Sequence, residues 1–506
     1  MGRPVILVTA AALFLFVAAA GAARITGSPR SDFLRGGPTA DRLNGRGGND
    51  RIKVDGGGRD AVRCGPGRYD VVNADLADTV AADCETVARV IARDPYRSPA
   101  QHPSIAEPDS LAFGSTVVAA FQSGRFRDGG AVNTGWATST DGGRTWRSGT
   151  LPSLTVSSRP AGRWQRASDP VVAYDAAHGT WLIASLALTA GDAAAVVVSR
   201  SADGLTWSAP VTVIEAPWVP DLRLDKEWIV CDNGSASPHR GSCYATYSDF
   251  RTMRLEFQAS RDGGLTWEPQ VSAPGNAGRP SLVGRWAPAP QPVVQPDGDL
   301  IVPYYDENRV ASVRSADGGR SFSAPVAVSA TAFRATPGLR SPPLPSAEVD
   351  ANGVVYVVWP DCRPTPSCRN DQLVVSRSSD GIRWSPATRI PTAPRTARAD
   401  YVLPGVGVDP TRSGRLALVY YVLRGAELLD VGSITSANGG RNWRPPRRLN
   451  AQTMRLEWAA QAGGAMLGDY FSTAWTGGRA ISVFTVAASR RGGGFDQPLF
   501  AAVIRP

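Results

Sequence analysis

The sequence predicts an all-β protein: a six- or seven-bladed β-propeller preceded by a short N-terminal β-roll-like repeat segment. Three observations carry that expectation. A turn motif built on Ser, Asp and Gly occurs six times, at intervals of about sixty residues. Alternating apolar stretches, the mark of half-buried strands, precede each copy. A different repeat, rich in Gly and Asp with a period of nine to ten residues, fills the region before them.

The chain has 506 residues, 42% hydrophobic and 20% charged, a balance that supports large buried cores rather than disorder. Its first residues run from Arg3 through an apolar stretch, Val5 to Ala20, to Ala20-Gly21-Ala22. A basic start, an apolar middle and small residues at the end read as a secretory signal peptide over residues 1–23, with an uncleaved anchor as the alternative. No later segment is long and apolar enough to span a bilayer, so a secreted or cell-envelope location is expected.

Six cysteines fall into three close pairs, Cys64 with Cys84, Cys231 with Cys243 and Cys362 with Cys368. Even number and short separations suit local disulfides in an oxidising compartment, although fifteen connectivities are formally open. Zinc is the weaker reading, since there is no Cys-x-x-Cys pair and only three histidines. The formal charge of +9 comes almost wholly from arginines spread along the chain. A nucleic-acid partner would call for clustered basic residues, so none is expected.

Residues 24–95 carry aspartates at Asp32, Asp41, Asp50, Asp60, Asp70 and Asp78, each followed within two residues by Leu, Ile or Val. The segment from Leu43 to Ile52, with Gly45, Gly47, Gly48 and Asp50, is one of the two best copies. It resembles the Gly-Gly-x-Gly-x-Asp-x-aliphatic nonapeptides of RTX-type calcium-binding β-rolls. That resemblance implies Ca2+ in these repeats, with Asp41, Asp50 and Asp60 as ligands. A disulfide-tied roll that has lost calcium is the competing expectation, because Cys64 and Pro66 interrupt the pattern.

Residues 100–506 carry the turn motif as Ser139-Thr140-Asp141-Gly142-Gly143-Arg144-Thr145-Trp146 and in five variants around Asp203, Asp262, Asp317, Asp380 and Asn438. Asp-Gly is a strong hairpin signal, and the carboxylate can accept backbone N–H bonds across the turn while the aromatic packs between sheets. The strand leading into each box, two more strands upstream and one downstream give four per unit. After the sixth copy a further set of strands could form a seventh blade, with residues 86 to 92 supplying its outer strand. The motif resembles the Asp-box, or BNR repeat, of the sialidase superfamily.

Such a fold would place ligand-facing loops opposite the box turns. Those loops hold many Arg, Asp, Glu and Tyr residues. The sialidase resemblance implies an arginine clamp, a tyrosine nucleophile assisted by a glutamate, and an aspartate acid/base. Carried over, it makes Asp169 the acid/base, Tyr470 or Tyr401 the nucleophile, Glu348 its base, and Arg166, Arg285, Arg340 and Arg363 the substrate clamp. No cofactor is implied for this region. One departure stands out: the early Arg-Ile-Pro of sialidases is missing, and Arg389-Ile390-Pro391 follows the fifth box instead. Two functions are therefore expected, a secreted sialidase-like glycoside hydrolase acting on terminal acidic sugars of glycoconjugates, or a non-catalytic glycan- or protein-binding propeller of the cell envelope.

Overall fold

The computed structural model describes residues 21–97, 100–189, 192–216, 224–252, 254–274, 289–394, 396–489 and 494–505. The expected signal peptide lies outside them except for its last three residues. Among the described residues the only helical pieces are two short 3-10 turns, Pro366–Cys368 and Leu456–Trp458. None is long and apolar enough to cross a membrane.

The Gly/Asp repeat folds into eight short strands: β1 (Arg24–Thr26), β2 (Phe33–Arg35), β3 (Arg42–Asn44), β4 (Arg51–Val54), β5 (Ala61–Arg63), β6 (Val71–Ala74), β7 (Thr79–Val80) and β8 (Thr86–Ala92). Odd-numbered strands stack in parallel in one sheet, even-numbered strands in another. This is a β-solenoid of about four turns. One sequence repeat is half a turn, so partners in the coil lie two repeats apart: Ile52 stacks on Leu34 and beneath Val72, and Leu43 beneath Val62. These aliphatic side chains fill a thin core sealed by the Cys64–Cys84 disulfide.

The aspartates form the other half of the coil. Asp50 Oδ1 accepts the Asp32 N–H at 2.8 Å, Asp70 Oδ1 the Asp50 N–H at 2.6 Å, and Glu85 Oε2 the Asp70 N–H at 2.8 Å. A parallel ladder runs from Ala23 through Asp41 and Asp60 to Asp78. Each carboxylate thus satisfies a backbone donor one turn away, which a short, loop-rich coil could not otherwise pair. Asp41 also accepts the Gly37 N–H, whereas the second oxygens of Asp50 and Asp60 are buried with no hydrogen-bond partner among the described residues. No group of three or more described Asp, Glu, His or Cys side chains is arranged to hold a metal.

The named strands of the rest of the described chain pair antiparallel. Strands β9 (Gln101–Phe113), β10 (Thr116–Arg125), β11 (Ala131–Ser139), β12 (Arg147–Thr150), β13 (Arg166–Asp175), β14 (Thr180–Thr189), β15 (Asp192–Ser201) and β16 (Val211–Glu215) share one eight-stranded sheet. Strand β17 (Leu224–Cys231) begins a four-stranded sheet, and two four-stranded sheets and a five-stranded one follow. The last strand, Leu499–Ile504, pairs with β8 through Phe500↔Val90 and Ala502↔Ala88. Residues 86 to 92 do supply the outer partner expected of them. All three expected disulfides are present.

This pairing overturns the six- or seven-bladed propeller with its short roll. The described strands do not part into six or seven separate four-stranded blades. Two expected units run together as one sheet through Ala131↔Ala167, and the last is continuous with the solenoid. The reason is that the box motif encodes the turn of one hairpin and says nothing about which sheet edges meet.

At that local level the turn chemistry is as the sequence reads. Asp141 Oδ1 accepts the N–H groups of Arg144 and Thr145 at 3.0 and 2.9 Å, and Ser139 Oγ accepts that of Gly143 at 2.8 Å. Trp146 Nε1 donates back to the Gly143 carbonyl. Gly143 has φ +83°, and a Cβ there would lie 2.6 Å from Ile481 Cδ1, so both conformation and packing require glycine.

The two repeats respond to acid in opposite senses. Burial pushes Asp60 and Asp70 up to about 6, so in the folded coil they take up protons more readily than in the unfolded chain. Stability from them therefore rises as pH falls from about 6 to 4. For Asp141, Asp262 and Asp317 burial is outweighed by hydrogen bonds to the carboxylate, which hold them at about 2. Their contribution is present above pH 4 and lost on the way to pH 2. Hydrogen exchange by segment should show protection of β2–β8 increasing from pH 7 to 5, and box turns opening only below pH 4.

Candidate functional site

Strands β9, β13 and β17 share a local irregularity. In each, two residues face a single residue of the neighbouring strand: Glu107-Pro108 opposite Phe121, Asp169-Pro170 opposite Ser185, and Lys226-Glu227 opposite Tyr247. The first residue of each pair is left-handed, at φ 49°, 46° and 52°. Such a bulge turns a side chain away from its regular alternation, at a cost of about 1–3 kcal/mol for a non-glycine residue. The three side chains so redirected, a Glu, an Asp and a Lys, meet.

Lys226 Nζ lies 2.6 Å from Asp469 Oδ2, 3.2 Å from Asp169 Oδ2 and 3.6 Å from Glu107 Oε1. Arg340 grips the same Asp469 through two bonds, Nε to Oδ1 at 2.7 Å and Nη2 to Oδ2 at 2.5 Å. Ser168 Oγ donates to Asp169 Oδ1 at 2.6 Å and accepts from Gln122 Nε2, which also donates to Glu107. Arg125 Nη1 completes the network on Gln122 Oε1 at 2.6 Å. Only Arg340, with 27% of its side chain exposed, reaches solvent appreciably.

Burial and neighbours divide the carboxyl groups into two kinds. Desolvation would raise all of them. For Asp469 it is outweighed by Arg340 and Lys226, and for Asp169 by Lys226 and the Ser168 hydroxyl, so both are held below the usual carboxylate range. Glu107 is pushed up to about 8 by burial and then by Asp169, and Glu227 is raised well above its ordinary value by the same two causes. Neither Glu227 oxygen has a hydrogen-bond partner among the described residues. Burial lowers Lys226, but the surrounding carboxylates more than reverse this and keep it protonated.

Asp169, Arg340 and Tyr470 are therefore brought into one neighbourhood. The Tyr470 hydroxyl donates to the Pro170 carbonyl at 3.1 Å, its ring meets Trp228 edge-on at 5.1 Å, and burial followed by Glu107 and Asp169 raises it well above an ordinary phenol. The remaining candidates lie elsewhere. Tyr401 is buried beside Tyr420, with ring centroids 5.8 Å apart. Arg166 pairs with Asp128 at 2.8 Å over the Phe126 ring, and Arg363 pairs with Asp361. Arg285 falls outside the described residues.

Glu348 belongs to a second feature, a cavity of about 550 Å3 lined by the early strands of successive sheets. Phe113, Tyr174, Trp228 and Trp475 contribute aromatic surface, and Asp109 shares the cavity with Glu348. Burial, with Asp109 second, pushes Glu348 up to about 8. Burial also raises Asp109 to about 7, against the N–H of Val172, which it accepts at 2.8 Å. Sequence reasoning missed Glu107, Gln122 and Asp109. Glu107-Pro108 beside Asp169-Pro170 and Leu403-Pro404 was a usable signal, because all three mark bulges.

No family model and no curated protein matches the chain. Among solved structures it is similar to a leech intramolecular trans-sialidase, at 15% identity over 65% of this chain and 66% of that one, with a TM-score of 0.45. It is also similar to a Dyadobacter fermentans protein of unknown function (14%, 82% and 98%, TM-score 0.42) and to an ulvan lyase of polysaccharide lyase family 25 (11%, 81% and 94%, TM-score 0.47).

Lys226 holds together two carboxylates and a third acid that burial would otherwise disfavour. Lys226→Met should cost about 3–5 kcal/mol of unfolding free energy, since removing one partner leaves uncompensated buried charge. Urea denaturation of the variant against wild type measures it.

Proposed function

We propose that this chain is a secreted glycan-binding protein whose ligand occupies the central cavity. The observation that carries the reading is the cavity itself. Its volume falls within the range of about 300–1,000 Å3 that encloses small ligands, and it joins broad aromatic faces to a few polar groups. Aromatic rings offer the apolar faces of a sugar a large contact at low entropic cost, and carboxyl groups fix its hydroxyls.

The hydrolase reading draws less support. A tyrosine nucleophile needs a base beside it and a lowered pKa. Tyr470 instead donates to a backbone carbonyl and is shifted the opposite way, while Glu348 faces the cavity with Asp109. An arginine clamp needs free guanidinium groups, and Arg340 is already bound by Asp469.

A glycan array with the mature protein tests the proposal. Wild type should bind at least one class of immobilised glycan, and Trp228→Ala should bind that class at least about tenfold more weakly while keeping a cooperative melt. No binding to any glycan by folded protein would overturn the reading. Release of methylumbelliferone from its α-sialoside should not exceed that of buffer.

A further inference from the structure

The cavity's charge runs against that of the whole chain. The protein carries 54 Lys and Arg residues against 45 Asp and Glu. Yet the described residues lining the cavity include three acids, Asp109, Glu348 and Asp409, and no Lys, Arg or His. Asp409 is compensated from behind by Arg415 at 2.8 Å. Asp109 and Glu348 have no basic partner among the described residues, and each makes ionisation of the other harder.

An anionic sugar placed there would hold both carboxyls protonated and meet no basic side chain among the described lining residues. A cation would do the reverse, favouring ionisation of both and gaining charge-assisted hydrogen bonds. The aromatic lining adds to this, because ring faces attract an ammonium group and pack on a sugar. Trp475, 5% exposed, lines the same cavity, and its indole N–H has no acceptor among the described residues. A sugar hydroxyl would supply one.

We infer that the central cavity takes a hexosamine bearing a free ammonium group, the ammonium held by Asp109 and Glu348 and the ring packed on the aromatic wall. The inference rests on the glycan-binding reading and names its ligand class. The acidic sugars expected from the sequence would find no basic side chain among the described lining residues. Without three grouped side-chain ligands, the described residues suit an organic cation better than a bare metal ion.

Isothermal titration of the full-length mature protein provides the test, using a glucosamine tetramer, its N-acetylated counterpart, 3′-sialyllactose and putrescine. The glucosamine tetramer should bind about tenfold or more tightly than each of the others, and Glu348→Gln, an isosteric change, should remove that preference. Equal or tighter binding of the N-acetylated tetramer or sialyllactose would overturn the inference while leaving the glycan reading standing. Binding of putrescine as tight as that of the tetramer would overturn the sugar part of the assignment. Absence of binding by all four would overturn it outright, and the array separately decides whether the glycan reading falls too. Preference retained in Glu348→Gln and in Asp109→Asn would remove the cavity from the account.

Discussion

A single ammonium group organises the antiparallel part of the molecule. Lys226 comes from β17, Glu107 from β9, Asp169 from β13, and Asp469 from a segment more than two hundred residues further along. Arg340 ties a fifth region to the same aspartate. Such a cluster is costly to desolvate, so it is weak evidence for stability compared with an apolar core of equal volume. Its value is positional. Three early strands and two connecting segments can satisfy these charges in only one mutual arrangement, and a slipped strand would leave a buried carboxylate alone.

The bulges make that arrangement possible. Leu403 occupies the equivalent left-handed position in the strand Ala399–Val408, at φ 51°, and is buried in an apolar cluster instead. The backbone device is therefore independent of the side chain it carries. Where the carried residue is Glu, Asp or Lys, the device delivers charge to a common point, and where it is Leu, it delivers apolar contact. Proline follows in three of the four cases, at Pro108, Pro170 and Pro404. It removes an N–H that the bulge would leave without a strand partner.

Much of the local structure was legible because it is written in short-range chemistry. The box carboxylates of Asp141, Asp262 and Asp317 accept bonds from residues three and four positions on, those of Asp203 and Asp380 from residues two and three positions on, and the solenoid's aliphatic and Asp positions recur every nine to ten residues. What could not be read was long-range pairing. Nothing at Ala131 or Ala167 announces that two hairpin sets share a sheet. The candidate site failed in a related way. Arg166 and Arg363 are the right residue type for a clamp, but each lies beside an aspartate that neutralises it, Asp128 and Asp361, and that proximity is a product of the fold. Glu348 was legible as an acid but not as a companion of Asp109, which lies 239 positions before it in a different sheet.

Trp228 connects the two features. It lies two residues after Lys226 on β17, packs edge-on against Tyr470 on the cluster side, and lines the cavity on the other. Glu227 between them is buried, and burial followed by Asp169 raises it well above its ordinary value. A base close to the cavity would stabilise ionised Asp109 and Glu348 and oppose a cationic ligand. Neither Lys226 nor Arg340 is among the principal influences on Asp109 or Glu348, both of which stay high. The cluster can thus fix the strands that form the cavity while leaving the cavity's own carboxyls without a basic partner among the described residues, so that an incoming ammonium is the charge that favours their ionisation.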